Sequence, residues 1–426
     1  MLIGHAGRPL GRSYYESRVP RLLLLAATTG YQIRVFAEAA RKLGVAVTLA
    51  TDRCHVLDDP WGDSAIPVKC DRIEESVESL RGHRFDGIVA VGDRHAVLAA
   101  AAAEALGIPF HPLDAARAAS DKYLSRLRIQ AAGLRVPAFF RVPAGEQAEA
   151  AADRAPYPCV LKPLGQSASR GVIRANHRGE FVEAFRRIRA MGERELQVEA
   201  YIPGREFAVE ALVTRGRFQP LAIFDKPDPL EGPYFEETIY VTPSRETAAV
   251  ERDLIEAAAR SVRALGLWHG PVHAELRHNQ EGAWILEAAA RPIGGLCAKT
   301  LEFLLDGNGP LPLEELILRH ALGEDVSRAR PAAAASGVMM IPIPKAGVFE
   351  SAEGTAEALE TEGVVDLIVT AKPGQQLLPL PEGASYLGFL FARAPTPEAV
   401  ERALRQAHAK LRFRIAAALP AFPPGA

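Results

Sequence analysis

The stretch PVHAELRHNQEGAWILEAAARPIGG, residues 271–295, decides how the rest of this chain is read. Two apolar runs, VHAEL and WILEA, flank RHNQEG, in which Asn279 and Gly282 are turn formers. The spacing predicts an antiparallel hairpin. With its register centred near Glu281, Glu275 and Glu287 stand opposite each other. Side chains alternate between the two faces of a strand. Ala274, Leu276, Trp284 and Leu286 are therefore expected on one apolar face, and His273, Glu275 and Glu287 on the other. Directly opposed residues have Cβ atoms about 5 Å apart. Two carboxylates that close repel and raise one pKa. A divalent cation relieves the repulsion, and magnesium takes one or two carboxylates together with phosphate oxygens. The same pattern also fits a hairpin whose acidic face is simply solvated. Arg291, which follows in LEAAARPIGG, carries a planar fork of donors suited to a phosphate or carboxylate, and Gly294 and Gly295 allow close approach of backbone to a ligand.

Upstream, PCVLKPLGQSASRGVIRA places Lys162 at the end of an apolar strand, directly before GQSASRG, residues 165–171. Small residues in such a loop can turn backbone N–H groups towards phosphate. The GxxxxGK[ST] pattern of a Walker A loop is absent. In LQVEAYIPGREFAVEALV, a strand with Glu199, then Pro203 and Gly204, then a strand with Glu206 could form a hinge that holds a nucleoside. Backbone from Ala200 through Tyr201 to Ile202 could read an adenine edge, and Glu206 could accept from ribose hydroxyls. Each of these residues taken singly also reads as an ordinary acid or turn on a strand.

Residues 21–112 alternate strands and helices: RLLLLAATTG, a helix ending at Gly44, VAVTLATD, FDGIVAVGD, and an Ala-rich helix from about Arg94 to Leu106. That rhythm predicts a parallel sheet covered on both faces. Gly30 after the first strand suggests a nucleotide turn, or a plain turn into a helix. Ser120 or Asp121 is a candidate cap for the next helix. Hairpins from Pro158 onward mark a second unit of antiparallel character. Near RARPAAAASG, residues 328–337, the composition shifts, and GVMMIPIP, VVDLIVTA and YLGFLFARA read as strands before a last helix, PTPEAVERALRQAHAKLRFRI. The boundaries expected are 1–112, 113–335 (with a small lid at about 123–198) and 336–426.

A net charge of −2 in 426 residues gives no electrostatic ground for a nucleic-acid or membrane partner. The cysteines Cys54, Cys70, Cys159 and Cys297 form no CxxC pair, which fits a reducing, cytoplasmic compartment. The start, MLIGHAGRPLGRSYYESRVP, lacks the apolar core of a signal peptide. The run Leu22 to Ala27 is far shorter than the roughly 20 residues needed to span a bilayer.

The order Lys122, LKP with its small-residue loop, VEAYIPGREF, then VHAEL…WILEAAAR resembles the ATP-grasp superfamily over roughly residues 1–415. Within it, the E-A-A-A-R string and the C-terminal segment look most like L-amino-acid ligases and related carboxylate–amine ligases. The resemblance implies an α/β and α+β multidomain ATP-grasp fold, with a Rossmann-like parallel-sheet domain first and a C-terminal lid domain last. It implies an ADP-forming ligase that makes an amide through an acyl phosphate, with ATP and magnesium (manganese in its place) as cofactors. Lys122 and Lys162 would bind phosphates, and the loop carrying Gly165, Ser167, Ser169 and Gly171 would close over them. Glu199, Ala200, Tyr201 and Ile202 would line the adenine slot and Glu206 would hold the ribose. Glu275 and Glu287 would ligate the metal; Arg291, with Glu287, would act in catalysis. Glu237 and Tyr240, in DKPDPLEGPYFEETIYVTPS, are candidates for an amino acid's α-amino group, with His273 and Gly295 also at the substrate. Gly295 sits where a bulky residue narrows the carboxylate pocket in some relatives, so larger donor side chains are expected. Ala289 stands where many ATP-grasp enzymes have Asn, which leaves open whether one or two metal ions bind. Dimers are common among such ligases. The alternatives are a bicarbonate-activating enzyme of the biotin-carboxylase or purine-pathway kind, and an ATP-binding protein whose catalysis has decayed.

Overall fold

The computed structural model describes residues 18–27, 32–52, 65–307, 309–332 and 334–417. Gly30, Cys54 and the N-terminal stretch before Arg18 lie outside the described residues.

Four parallel strands come first, in the spatial order Ala65–Pro67, Ala46–Thr51, Arg21–Leu25, Gly87–Ala90. The run of leucines is explained by burial on both faces. Leu22 and Leu24 pack towards Phe36, Ala39 and Ala40 of the helix Ile33–Leu43. Leu23 and Leu25 pack towards Leu98, Ala99 and Ala102 of the helix Asp93–Leu106. Gly92, with φ of +100°, turns the chain from the strand Gly87–Ala90 into that helix and so sets Asp93 at its first turn.

The largest sheet has eight strands, all paired antiparallel: Gly282–Ala289, Gly270–Asn279, Arg205–Thr214, Arg217–Lys226, Ile239–Thr242, Ala335–Ile341, Gly388–Ala394 and Val364–Val369. Hydrogen bonding runs unbroken across residues 335 and 336, because Ala335–Ile341 pairs with Ile239–Thr242. A separate small sheet, in the order Phe139–Val142, Leu196–Ala200, Cys159–Pro163, Ile173–Ala175, packs with the helix Arg178–Ala190 through Leu161, Val198, Phe181 and Ile188.

One local expectation is settled between its two alternatives, and one changes. The cap of the helix Lys122–Ala131 is Asp121, whose carboxylate accepts from the Leu124 N–H at 2.9 Å; Ser120 is the last residue of the preceding helix. The final helix stops at His408, and Arg412–Ala416 is a strand on Gly347–Glu353. In RFRIA, Phe413 and Ile415 turn inward while Arg412 and Arg414 are exposed, a period of two that a helix cannot satisfy. Among the described residues no helix is long and apolar enough to cross a membrane.

His111, in the link between the helices Asp93–Leu106 and Leu113–Ser120, ties the first sheet to the large one. Its Nδ1 accepts from the Trp268 N–H at 3.1 Å, which leaves Nε2–H to donate to the Pro271 carbonyl at 3.1 Å. Those bonds need the neutral ring. Burial pushes its pKa down to about 4. A folded pKa below the unfolded value of 6.5 stabilises the fold above pH 6.5, and that contribution is lost as pH falls towards 4. Urea denaturation from pH 7 to 4 should show wild type losing about 3 kcal/mol more than His111→Gln; equal losses would contradict this role.

Candidate active site

The hairpin predicted from the sequence forms, and it sets Glu275 opposite Glu287. The expected apolar face forms only in part. Next to the turn the register runs Asn279 with Gly282 and Leu276 with Ile285, and it shifts between Glu275 and Leu276. That regular spacing, extended, would have set Glu275 against Leu286 and Glu287 against Ala274. A bulge places one extra residue on one strand; in this hairpin it is Leu286, and it restores the match of the two acids. The buried face is Ala274, Leu276, Ile285 and Ala288, while Trp284 and Leu286 are only half-buried. Leu286 turns to the cleft instead, and its carbonyl accepts from Arg126.

The neighbouring strands extend the acidic face. Glu206 lies between Arg277 and Lys226, and Glu210 beside His273. Each of these pairings is also an ion pair. Arg277 Nε donates to Glu206 at 2.9 Å, and the Lys226 ammonium donates to Glu206 at 2.8 Å, Glu237 at 2.6 Å and Glu275 at 3.1 Å. His273 Nδ1 pairs with Glu210, and its Nε2 is 3.3 Å from Glu275. Burial would lower the His273 pKa, but Glu210 and Glu275 outweigh it and raise it to about 9. Burial would raise that of Glu275, yet Lys226 and His273 hold it well below the usual carboxylate range. Burial and Glu275 push Glu237 up despite Lys226.

Arg291 lies against Asp93, Nε to Oδ1 at 2.9 Å, and 3.9 Å from Glu287. Burial would raise the Asp93 pKa, but Arg291 keeps it below the ordinary value. Lys162 meets Glu199 at 2.6 Å, and Arg126 meets the other Glu199 oxygen at 2.6 Å. Burial lowers the Lys162 pKa against the pull of Glu199. Glu199, raised by burial alone, is brought down to about 2 by Arg126 and Lys162. Lys122 Nζ donates to the Gln166 carbonyl at 2.5 Å.

In the loop after Lys162, Ala168 and Ser169 have φ of 53° and 54°, left-handed values that cost a non-glycine residue about 1–2 kcal/mol. The N–H groups of Gln166, Ser167, Ala168 and Ser169 have no partner among the described residues. The N–H groups of Ala200 and Tyr201 donate to Ala138 and Pro158, while that of Ile202 has no such partner. The ring of Tyr201 stacks with Phe235, centroids 6.5 Å apart, beneath the guanidinium of Arg174.

These groups share one cleft of about 370 Å³, lined by Lys122, Lys162, Glu275, Glu287 and Arg291 and, at its other walls, by Glu237, Tyr240, His273 and Gly295. Ser167, Ser169, Glu199, Ala200, Tyr201, Ile202 and Glu206 also face it; Gly165 lines an adjoining chamber, and Gly171 packs against Pro163. Gly295 has φ of +60°, and a Cβ there would meet the Phe389 ring at 3.1 Å. Sequence reading missed Asp93, Arg126, Lys226, Arg277 and Glu210. Lys226 had a readable signal, since it stands directly before a proline at the end of an apolar run, as Lys162 does.

Lys226→Met should leave three carboxylates facing one another and lower stability by about 3–5 kcal/mol in chemical denaturation. Adding Glu237→Gln should recover part of the loss; a single variant as stable as wild type would show that the ammonium is dispensable.

Three family models match the chain: an ATP-grasp N-terminal domain over residues 37–110, an ATP-grasp domain over 155–300, and an L-amino acid ligase C-terminal domain over 339–416. The crystal structure of L-amino acid ligase from Bacillus licheniformis superposes with a TM-score of 0.78 at 26% identity, over 93% of this chain and 99% of that one. Alanine–anticapsin ligase of Bacillus subtilis is 28% identical over 247 residues, 52% of each chain. A D-alanine–D-alanine ligase of Bordetella petrii is 29% identical over 202 residues, 45% of this chain and 61% of its own length. The chain is an ATP-grasp, L-amino-acid-ligase-like protein, and so an ADP-forming carbon–nitrogen ligase.

Proposed function

We propose that this ligase joins the carboxylate of one amino acid to the amine of a second substrate. One observation carries the reading. Across the four strands from Gly282 to Lys226, the buried cross-strand charges oppose one another in sign, as Arg277–Glu206–Lys226 and His273–Glu210, while Glu275 and Glu287 stand directly opposite each other as two carboxylates. Like charges directly opposite destabilise a sheet. A bulge that brings the two acids together in a cleft is consistent with a cation between them.

The donor set fits magnesium and a nucleotide. Glu275 and Glu287 offer carboxylate oxygens, and Lys122 and Lys162 with the unpartnered N–H groups of 166–169 suit phosphates. Tyr201, Phe235 and the free Ile202 N–H suit an adenine ring. Glu206, engaged by Lys226 and Arg277, keeps a second lone pair on each oxygen for ribose hydroxyls. Bound magnesium–ATP supplies the phosphoryl group that turns a carboxylate into an acyl phosphate, with ADP released.

The chain's own residues do the rest. Arg291, held by Asp93, orients the substrate carboxylate and stabilises charge on the acyl oxygen. Glu237, with the Tyr240 hydroxyl, receives the donor's α-ammonium. The loop 165–171 keeps water away from the activated carbonyl. The acceptor nitrogen, free of its third proton, forms the bond to the acyl carbon; the carbon–oxygen bond to phosphate breaks, and a proton leaves with the phosphate. Cys297, Met340 and Tyr386 bound the donor end, and the wall at Gly294 and Gly295 is bare backbone, which suits donors larger than alanine. The reading places the protein in the cytosol, where ATP and amino acids are held.

A screen for phosphate release with ATP, magnesium and pairs of amino acids, followed by mass spectrometry, should show a product equal to the two substrates less water. Glu287→Ala and Arg291→Ala should each lower amine-dependent ADP formation by at least about 100-fold. Near-normal turnover in either variant would count against the metal and carboxylate roles of these two side chains. Acceptance of glycine and alanine donors alone would count against the roomy donor end.

A further inference from the structure

Five buried side-chain polar atoms have no hydrogen-bond partner among the described residues: Oε1 of Gln32, Nε2 of His95, Oε1 of Gln197, Nδ1 of His269 and Oε2 of Glu314. A polar atom is costly to bury in that state. Of the five residues, Gln32 alone lines the cleft that holds Glu275, Glu287 and Arg291.

Gln32 is 3% exposed and stands at the N-cap of the helix Ile33–Leu43, yet its side chain does not cap that helix. It reaches instead to the segment after the hairpin, where Nε2 donates to the Ile293 carbonyl at 2.5 Å. A carbonyl only accepts, so the amide nitrogen is fixed on Ile293 and the amide oxygen is the atom left to offer. Ile293 lies two residues beyond Arg291, which Asp93 holds. Gln32 and Asp93 open the helices that follow two adjacent parallel strands, Arg21–Leu25 and Gly87–Ala90. The carboxyl ends of such strands are where open α/β sheets bind ligands. From there the two side chains brace one short segment, 291–293. The charged groups on the neighbouring elements are matched, Asp93 by Arg291 and Glu210 by His273, and Arg34 and Glu38 of its own helix are exposed. An uncharged acceptor oxygen is thus held on the segment whose Arg291 orients the acyl group, while Glu237 and Tyr240 serve the donor's ammonium.

We propose that Gln32 Oε1 accepts an N–H of the incoming amine and so aims the nitrogen lone pair at the acyl carbon. This assignment rests on the ligase reading above. An amide suits the task better than a carboxylate. Attack needs the neutral amine, and an anion beside it would favour the ammonium. Gln32 takes no proton: the nitrogen–carbon bond forms, the carbon–oxygen bond to phosphate breaks, and the proton leaves with the phosphate.

The full chain would be assayed with ATP, magnesium and the pair of amino acids that releases phosphate fastest, and in parallel with hydroxylamine as the acceptor. Hydroxylamine traps an activated acid as a hydroxamate and, as a weak base, is neutral at pH 7 and above. Gln32→Leu should lower kcat/KM for the amino-acid acceptor about tenfold and leave the KM values of ATP and donor in place. Gln32→Glu should move the rising limb of the acceptor's pH profile up by about one pH unit, because the carboxylate raises the amine's pKa. The same variant should leave hydroxamate formation level from pH 7 upward. An acceptor kcat/KM in Gln32→Leu within about threefold of wild type, an equal loss in the donor's KM, or a pH profile that stays in place in Gln32→Glu, would overturn the assignment. The second of these would mark Gln32 as a prop for Arg291 alone. Absence of hydroxamate from wild type with every proteinogenic donor would overturn the ligase reading itself, and this assignment with it.

Discussion

A sheet face that carries Glu206, Glu210, Lys226, His273, Glu275 and Arg277 cannot be buried until its charges are balanced, because each isolated ion would cost several kcal/mol. The balance is struck across the strands. Arg277, Glu206 and Lys226 form one row, and His273 with Glu210 another. The rows then reach outward. Arg277 also donates to the carbonyls of Ile202 and Leu230, which fixes the hinge before Pro203 and the loop after Lys226. Glu210 accepts from the Ile293 N–H while Gln32 donates to the Ile293 carbonyl at 2.5 Å, so the segment from Arg291 to Gly295 is held from both sides. Charge neutralisation in the sheet and placement of the cleft walls are one network.

Against that background the bulge at Leu286 has a clear cost and a clear effect. It breaks the ladder locally and moves Leu286 out of the core. In exchange, two acids meet and a carbonyl is turned towards Arg126, whose guanidinium also holds Glu199 and, through it, Lys162. The two halves of the cleft are thereby coupled by covalent geometry and one buried arginine. The left-handed Ala168 and Ser169 are a second local strain at the same cleft, as expected where a loop must present N–H groups inward.

How much of this was legible depended on distance along the chain. The hairpin and the loop after Lys162 are local, and the turn formers and strand-end lysine announced them. Glu275 opposite Glu287 was read correctly from a register that was right only because an unforeseen bulge corrected it. Asp93 is paired 198 residues away and Arg126 73 residues away, so nothing in their own surroundings marks them. Arg277 and Lys226 read as surface charges on strands until Glu206 is placed between them. The misread end of the last helix has a different cause: Ala409 to Leu411 continue a helical composition, and only the alternation of Phe413 and Ile415 favours a strand.

The small sheet that carries Lys162 also touches the rest of the chain along its rim. The Gly171 N–H donates to the Pro381 carbonyl at 2.8 Å and the Arg174 N–H to that of Pro233 at 2.8 Å. Arg187 pairs with Glu382, both partly exposed, an arrangement worth no more than about 1 kcal/mol. Each backbone bond adds about 1 kcal/mol net. None of these contacts involves the buried charge network of the large sheet. These rim contacts are separate from Lys226, Arg277 and Glu210, and the tie between the small sheet and the floor of the cleft is the buried Arg126, which holds both Glu199 and the Leu286 carbonyl. A floor of buried ion pairs, joined to its cover by one buried arginine and a rim of exposed bonds, suits a reaction from which water must be excluded.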